Sequence, residues 1–288
     1  MANSIALAKK YSALLDEIYT VGALTTDLDI PQELVRDGAN ANEIVIPKLT
    51  VQGLATYSRN SGYVAGDATL TYETVTFDYE RGRKFTVDTQ DDAETIGVAF
   101  GRLAGVFMKT KVTPEIDAYR FSKYASTSGI SEIGTPASLA DGAAVVAAVR
   151  VATAKLDTDS VDRTGRILYI ESTLKGLVDD LDTTKSREVF KRFDKIVEVP
   201  QSRFYKGITL AASGDGGYTK TTTTGRDINF MVIQKDAAIQ FNKHLVTKVF
   251  TPEENQDSDG WIFVFRVLGL CDVYDNKVAG IYSHIKAS

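Results

Sequence analysis

Residues 4–19 carry the first regular pattern of apolar and polar positions in the chain. Their apolar side chains recur every three or four residues, which places them on one face of a helix. They are Leu7, Tyr11, Leu14 and Ile18. Residues 20–50 keep no such period and contain turn-forming residues, among them Pro31 and Gly38. The pattern predicts an amphipathic helix followed by an extended arm.

Residues 91–125 form a much longer helical pattern. One face of it is apolar, at Ile96, Phe100, Leu103 and Phe107. Pro114 lies inside this region, and an internal proline removes a backbone hydrogen bond and kinks a helix. We therefore predict either one bent helix or two consecutive helices.

A further helix is predicted over residues 138–157. Its apolar positions have helical spacing, at Val145, Val149, Ala152 and Leu156. Ser138 and Asp141 precede this run with the spacing of a capping box, in which the first residue caps the helix. We therefore expect the helix to begin at Ser138.

The residues from Val51 to Asp88 are typical of strands, because β-branched and aromatic side chains alternate with polar ones. The alternation changes phase between Tyr72 and Val75. A shift of one residue turns side chains to the opposite face, so we predict a bulge or a bend there. The pattern implies a long hairpin. An isolated two-stranded ribbon is marginal in water, so this hairpin should lie on another surface.

Further along the chain, short apolar runs alternate with helical patterns. Strands are predicted at 167–170, 196–199 and 228–233, and helices over 174–181 and 236–243. The first of these strands is continuously apolar, as in a strand covered on both faces. The alternation indicates a mixed α/β core.

The C-terminal part of the chain is strand-like at 246–250, 261–268 and 271–285, with an acidic turn at 255–260. Residues 211–225 are rich in glycine, serine and threonine, which predicts an exposed, mobile loop. No internal repeat is present in the sequence.

The composition is that of an ordinary globular protein. The 288 residues are 43% hydrophobic and 25% charged, which argues against a disordered or fibrous chain. Cys271 is the only cysteine, so the chain is not a disulfide scaffold. There is no signal-peptide pattern and no apolar run long enough to span a membrane. The net charge of −5 disfavours tight binding of nucleic acid across a whole face.

Candidate catalytic and metal-binding residues are few. Neither His244 nor His284 lies in a motif, and Cys271 lies in an apolar strand, as an inert buried thiol does. Acidic residues cluster next to a helix start, at Asp88, Asp91, Asp92 and Glu94. Capping by Asp91 and Glu94 explains that cluster better than metal binding does. We expect no catalytic, metal or cofactor site.

Two further motifs have simple structural explanations. The turn from Asp257 to Gly260 resembles part of a calcium loop but lacks the distal glutamate, so we interpret it as a hairpin turn. The run from Gly214 to Gly217 lacks the ending of a phosphate-binding loop. The basic run from Arg81 to Lys84 fits either a charged strand edge protected from aggregation or an ion-pair patch between subunits.

Four segments resemble major capsid proteins of tailed, double-stranded-DNA phages with the Hong Kong ninety-seven fold. The run from Val112 to Tyr124, VTPEIDAYRFSKY, is similar to the later part of the long spine helix of that family. The run from Asn229 to Lys235 is similar to a strand leading out of the axial domain. Residues 259–266 and 275–282 are similar to the closing strands of the peripheral domain. In order along the chain, these segments extend the resemblance over most of its length.

The resemblance implies an α+β fold with four parts. They are an N-terminal arm at 1–48, an extended β-hairpin loop at 49–88, a peripheral domain at 89–135 and 241–288, and an axial domain at 136–240. The hairpin would then reach over a neighbouring subunit. We expect intersubunit contacts from eight residues along it: Arg59, Tyr63, Glu73, Asp78, Glu80, Arg81, Arg83 and Lys84.

The function that the resemblance implies is structural and not enzymatic. The chain would self-assemble into hexamers and pentamers of an icosahedral virion shell that encloses double-stranded DNA without sequence-specific binding. A portal protein, scaffolding protein and decoration proteins would be its partners, and the bacterial host cytoplasm its place of assembly. Because the sequence starts at Met1, directly before the first helix, we expect a separate scaffold.

The sequence departs from the type member of the family at one informative point. That member forms an isopeptide bond through a lysine in the extended loop, whereas no lysine occurs here between Lys48 and Lys84. We therefore expect a shell held together without covalent bonds. Two alternatives remain: an encapsulin-type nanocompartment shell that encloses enzymes, and an acidic hydrolase that uses paired carboxylates.

Overall fold

The computed structural model describes residues 23–29, 43–89, 98–181 and 184–287. The helix predicted over residues 4–19 and the capping by Asp91 and Glu94 lie outside these ranges. The α-helices are α1 (Val98–Phe107), α2 (Thr113–Ser126), α3 (Gly142–Thr158), α4 (Ser172–Asp179) and α5 (Thr184–Phe190).

The strands begin with three in the first third of the chain, β1 (Glu43–Val51), β2 (Ala68–Thr76) and β3 (Tyr79–Asp88). Seven shorter or central strands follow, β4 (Ser131–Glu132), β5 (Arg166–Glu171), β6 (Lys195–Val199), β7 (Tyr205–Lys206), β8 (Ile208–Leu210), β9 (Tyr218–Lys220) and β10 (Arg226–Gln234). The last three are β11 (Ala238–Phe250), β12 (Gly260–Val273) and β13 (Ile281–Ile285).

A central mixed sheet, with strand order β4-β13-β10-β5-β6, forms one half of the molecule. Every residue of β5 is buried. Leu168 and Ile170 face α3 and α4, while Ile167 and Tyr169 pack with Phe121 of α2 on the other side. This confirms the prediction of a strand covered on both faces, which its continuous apolar run requires.

A second, antiparallel sheet has the order β11-β12-β3. Its strands are long, and β12 pairs with β3 from Gly260 opposite Asp88 to Gly269 opposite Tyr79. The buried residues Phe263 and Phe265 of this sheet pack against Met108 and Ile116 of the helical layer. Among the strands that the structure describes, β3 pairs with β12 alone and so forms an edge of this sheet, which agrees with one interpretation of its basic run.

The long helical region is interrupted just before its proline. A π-helical turn at Met108–Val112 separates α1 from α2, and Pro114 lies in the first turn of α2. Proline is tolerated there because a first-turn N–H has no partner within its own helix. The Thr113 hydroxyl donates to the carbonyl of Met108 at 3.1 Å. The region therefore forms two consecutive helical segments, which is one of the two predicted alternatives.

The helix predicted over 138–157 is present as α3, but it begins four residues later than expected. Asp141 is its N-cap and accepts a hydrogen bond from the N–H of Ala144 at 2.7 Å. The expected capping box starting at Ser138 is wrong, because Asp141 supplies the capping oxygen itself. The apolar face is as predicted, and each of its members is fully buried: Val145, Val149, Ala152 and Leu156.

Three predictions about strands are wrong. The hairpin consists of β1 and β2, whereas β3 belongs to the sheet with β12. No bulge occurs between Tyr72 and Val75, since β2 runs regularly and the chain bends at Phe77 and Asp78 instead. The predicted helix over 236–243 is a short 3-10 turn followed by β11, because β12 offers that segment a long antiparallel partner.

Candidate intersubunit surfaces

The hairpin formed by β1 and β2 is a two-stranded ribbon with one apolar face. Leu49 pairs with Leu70, and Pro47 pairs with Tyr72, so all four side chains lie on the same face. Leu49, Leu70 and Tyr72 are 61%, 54% and 66% exposed. We call this the apolar hairpin face and define it by Pro47, Leu49, Val51, Ala68, Leu70 and Tyr72.

The opposite face of the hairpin attaches it to the body of the molecule. At its root, Ile44 and Val75 are buried and pack with Ile239 and Leu270. Farther out, Lys48 Nζ lies 3.0 Å from Asp275 Oδ2. Beyond Lys48, no hydrogen bond or ion pair in the described ranges joins residues 49–67 to the body. The outer half of the ribbon therefore lacks support from its own chain.

The hairpin tip, residues 52–67, is ordered by contacts within itself. Ser58 and Gly62 exchange backbone hydrogen bonds of 3.3 and 2.8 Å, and the rings of Tyr57 and Tyr63 lie 4.9 Å apart. Leu54 is fully exposed and Tyr63 is 91% exposed. Large apolar side chains are rarely displayed together in this way on a surface that stays in water.

Helix α2 fixes the direction in which the hairpin leaves the body. Asp78, at the bend after β2, accepts a hydrogen bond from the Tyr119 hydroxyl and pairs with Lys123 Nζ at 2.5 Å. Burial, and next the hydrogen bond to Asp78, raise the pKa of Tyr119, so it stays protonated as a donor. The bend is therefore held to two successive turns of the same helix.

The start of β3 is held to α2 by a second group. Glu115 accepts hydrogen bonds from the Tyr79 hydroxyl at 3.2 Å and from Arg81 Nε at 2.6 Å. The hydrogen bond to Glu115 raises the pKa of Arg81, so the guanidinium group stays charged. Arg81 also donates to the carbonyl of Ala211 at 2.7 Å, so this side chain links β3 to the helix and to the glycine-rich loop.

The eight residues predicted to make intersubunit contacts fall into two groups. Arg59 and Tyr63 project from the hairpin tip. The other six contact their own chain. Glu80 forms an ion pair with Arg266 and Lys84 forms one with Asp257, while Arg83 donates a hydrogen bond to the carbonyl of Gly214. Glu73, Asp78 and Arg81 lie nearer the body of the molecule. Burial raises the pKa of Glu73, and the negative charge of Asp275 raises it further. Their role between subunits stays a prediction.

The hydrophobic pattern alone does not reveal the apolar hairpin face. It places Leu49 in the extended arm and Val51 at the start of the strand-like residues, and it predicts no strand for β1. A partial signal is present, because Leu49 and Val51 alternate with Lys48 and Thr50, although the apolar Ile44 and Ile46 interrupt the alternation nearer the root. Pro47 lowered the strand character of that run, although proline is compatible with the edge of a ribbon.

A buried polar cluster holds the segment 23–29 against α2. Asp117, fully buried, accepts hydrogen bonds from the Leu24 N–H and the Thr25 hydroxyl and pairs with Arg203 Nη1 at 3.3 Å. Arg120 donates to the Thr25 hydroxyl at 2.8 Å. Burial raises the pKa of Asp117, while the Leu24 N–H, Arg120, Thr25 and Arg203 act in the opposite direction.

Gln240 of β11 completes this cluster from the other side. Its amide donates to the carbonyl of Thr25 at 2.7 Å and to Asp29 at 2.6 Å. Leu28 is buried in the adjacent core. The segment 23–29 is therefore fastened both to a helix and to a strand.

Two of the three candidate catalytic side chains, Cys271 and His284, are buried in the core. Burial raises the pKa of the Cys271 thiol to about 12, so it is protonated and unreactive near neutral pH. His284 is in the central sheet, stacked on Phe230 and 3.0 Å from Asn229, and burial lowers its pKa to about 4. His244 is exposed on β11 beside a bulge, because the helix predicted over 236–243 does not form.

The acidic turn and the glycine-rich loop also have structural roles. Asn255 accepts hydrogen bonds from the N–H groups of Asp257 and Ser258, which closes the turn between β11 and β12. Part of the glycine-rich loop forms β9, paired with β8. Within the described residues, no cluster of three or more metal-ligating side chains occurs and no helix is long and apolar enough to span a membrane.

Solved structures identify the fold. Long β-sheet, interrupted helix and projecting hairpin together form an α+β Hong Kong ninety-seven capsid fold, the fold of phage capsid shells. The capsid of the cyanophage P-SCSP1u matches with a TM-score of 0.59 at 12% identity, covering 88% of this chain and 86% of that one.

Two other solved structures are similar to a comparable degree. A virus-like particle from Pyrococcus furiosus matches with a TM-score of 0.58 at 10% identity, covering 96% of this chain and 97% of that one. A structure from Mycobacterium phage Che8 matches with a TM-score of 0.53 at 14% identity, over 85% and 84%. No protein-family model and no curated protein sequence matches the chain.

Proposed function

We propose that this chain is the major capsid protein of a tailed phage, and that its function is to assemble with copies of itself into a closed shell. The observation that carries the proposal is the apolar hairpin face on a capsid fold. Leu49, Leu70 and Tyr72 are more than half exposed on a ribbon that its own chain does not support beyond Lys48. Such a surface requires a partner, and a shell supplies one for every copy.

Burial of this face provides a substantial driving force. A large apolar side chain that becomes fully buried contributes about 1.5–3 kcal/mol. Three such side chains per subunit, repeated around every ring, give a shell that is stable although each contact is modest. Covalent cross-links are not needed for this, which agrees with the absence of lysine between Lys48 and Lys84.

The four-part division follows the proposed role. The central sheet with α3 and α4 would be the axial domain, converging at the centres of hexamers and pentamers. The sheet of β3, β11 and β12 with α1 and α2 would be the peripheral domain. The extended loop then runs from residue 43 to 76, because β1 and β2 are its two strands and β3 belongs to the sheet with β12.

The proposed content is double-stranded DNA, held without sequence-specific contacts. A net charge of −5 means that the shell as a whole repels the phosphate backbone, so the genome stays free to leave. Portal, scaffolding and decoration proteins are proposed partners, on the resemblance alone. The virion is the proposed location, and assembly is proposed to occur in the host bacterial cytoplasm.

The experiment is to express the chain with a candidate scaffolding protein and examine the products by electron microscopy. We expect uniform closed shells from the wild type. Leu70→Glu, on the apolar hairpin face, should give folded subunits that do not form shells, because a charge would have to be buried at the contact.

Thr69→Glu is the matched control, since Thr69 is the exposed neighbour of Leu70 on the opposite face of the same strand. It adds the same charge and should still allow shells. Wild-type subunits that remain monomers under every condition would contradict the proposed function. Equal assembly of both variants would show that the apolar hairpin face is not the contact.

A further inference from the structure

A cleft of about 400 Å³ opens between β3, the π-helical turn and the glycine-rich loop. The rings of Phe85 and Phe107 meet edge to face at 4.8 Å and line its interior, together with Phe265 and Val267. The exposed side chain of Val106 forms part of one wall. Small-molecule sites in proteins are recesses of about 300–1,000 Å³ with mainly apolar walls, so this cleft has the size and the interior of such a site.

The glycine-rich loop is held in position as the opposite wall. Arg81 donates to the carbonyls of Ala211 and Gly217, and Arg83 donates to that of Gly214. Gly214 and Gly217 have φ angles of 70° and 81°, which other residues adopt with strain. The cleft therefore has two fixed walls, one of helix and strand and one of loop backbone.

Positive charge collects at the mouth of the cleft. Arg83 and Lys111 line the cleft, and Lys109 lies on the same π-helical turn as Lys111. All three side chains are exposed. None of them forms an ion pair with any residue that the structure describes. The mouth therefore offers three cations to a ligand that arrives from solution.

Acidic groups at the mouth balance only part of this charge. Glu115 is already paired with Arg81, whose Nε lies 2.6 Å from Oε1 of the carboxylate. Asp215, on the loop, is the one other acid among the residues that line the cleft. Three cations thus face a single unpaired carboxylate, in a chain whose net charge is −5. The local excess of positive charge attracts an anionic group to this mouth.

Hydrogen-bond donors are also in excess at the mouth. Arg83 uses one N–H group on Gly214 and keeps the rest of its guanidinium for another acceptor, and Lys111 has three donors to offer. From Ser213 to Gly216, no backbone N–H donates a hydrogen bond within the described part of the chain. A carboxylate only accepts hydrogen bonds, so it suits this mouth and can bind both side chains through charge-assisted bonds.

We propose that the cleft binds a free fatty acid, with its alkyl chain against the rings of Phe85 and Phe107 and its carboxylate at Lys111 and Arg83. The walls supply apolar surface for the chain, and the mouth supplies positive charge and donors for the acid. This inference concerns a small-molecule ligand and goes beyond the proposed function. A bound acid joins β3, the π-helical turn and the loop, so it stabilises the folded subunit by mass action.

The test titrates full-length subunits with sodium decanoate, and with 1-decanol as a neutral ligand of the same chain length, by isothermal titration calorimetry. We expect one decanoate per chain, bound about tenfold more tightly than decanol, because charge-assisted hydrogen bonds hold the carboxylate. Each methylene added between octanoate and decanoate should raise the affinity about fourfold, since the chain is buried against apolar walls.

Two substitutions at the mouth test the position of the carboxylate. Lys111→Gln should weaken decanoate about tenfold and leave decanol unchanged. Asp215→Asn should strengthen decanoate, because it removes the opposing negative charge. Both side chains are exposed, so both variants should fold. Equal affinities of the wild type for decanoate and decanol would overturn the proposal, as would a Lys111→Gln variant that binds decanoate like the wild type.

A second pair of variants tests the apolar wall. Val106→Glu puts a like charge beside the carboxylate and should abolish decanoate binding. Val151→Glu is the matched control, because Val151 is 56% exposed, as Val106 is, but lies on α3 in the other half of the molecule. It should bind like the wild type, and thermal unfolding shows whether both variants are folded. Decanoate binding that does not saturate, or that is equal in the two variants, would contradict a site in this cleft.

Titration of closed particles tests other occupants of the cleft, and we expect one decanoate per chain there too. Particles that bind none, although their dispersed subunits do, would overturn the proposal and assign the cleft to a neighbouring chain. Retention of the wild type on vesicles of anionic phospholipid, lost in Val106→Glu, would replace the free acid by a membrane lipid. Subunits that bind decanoate but never close would leave this site standing and contradict only the shell function.

Discussion

Asp117 illustrates how single buried groups determine the arrangement of the arm. Its carboxylate binds the Leu24 N–H, the Thr25 hydroxyl and Arg203 at the same time. In the sequence, Asp117 is only one residue of a helical motif, the run from Val112 to Tyr124. Its partners are 86 to 93 residues away in the chain, so no local pattern could have identified them.

We predict that Asp117→Ala lowers the free energy of unfolding by about 3–5 kcal/mol, because it removes the buried carboxylate that pairs with Arg203 and accepts from the Leu24 N–H and the Thr25 hydroxyl. Denaturant unfolding of the soluble subunit measures this. Asp179→Ala is the control, since Asp179 is 62% exposed and pairs with Lys175 on the helix surface. That change should cost less than about 1 kcal/mol. Equal losses would mean that the Asp117 cluster does not stabilise the fold.

At the scale of elements, the two faces of β2 explain why the predicted bulge between Tyr72 and Val75 is wrong. Leu70 and Tyr72 lie on one face of this strand, and Val75 lies on the other, so the apolar positions change phase although the backbone stays regular. Val75 faces the core of its own chain, whereas Leu70 and Tyr72 face outward. A phase change is evidence of a bulge only where a single surface covers the strand.

The contact between α3 and α4 depends on a glycine at the start of α3. A Cβ atom at Gly142 would lie 2.2 Å from the carbonyl oxygen of Leu177, which is backbone and cannot turn aside. We predict that Gly142→Ala destabilises the subunit by about 3 kcal/mol, the upper end for overpacking. Thermal or denaturant unfolding measures the loss.

Gly176→Ala is the matched control for that prediction, because it makes the same substitution in α4. A Cβ atom at Gly176 would meet nothing within 4 Å. Alanine is favoured over glycine inside a helix, so this variant should gain about 0.5–1 kcal/mol. A loss at Gly176 as large as that at Gly142 would refute the argument from close packing.

At the scale of the whole molecule, the proposed shell should be held by buried surface alone. The hairpin and β3, as far as Arg83, contain no lysine after Lys48, and Cys271 is buried. We predict that particles boiled in denaturant and reductant run as a single band near 31.4 kDa on a gel. A ladder of covalent oligomers in untreated wild-type particles would contradict this.

The sequence by itself determined the class of fold and most of the elements in its core. The apolar faces of α3 and β5 are strong local patterns, because burial against neighbouring layers requires them. The same is true of the interruption near Pro114, which follows from the chemistry of proline. The poverty of histidine and cysteine also directed the interpretation toward a structural role.

Only the tertiary structure decided which strands pair and which surfaces remain open. The same apolar side chain fits a core, an edge or a contact between subunits, and the difference depends on residues distant in the chain. Leu70 and Val75 lie five residues apart on one strand, yet Val75 is buried against the body of its own chain whereas Leu70 is 54% exposed. The apolar hairpin face stays exposed because the hairpin extends beyond the body of its own chain.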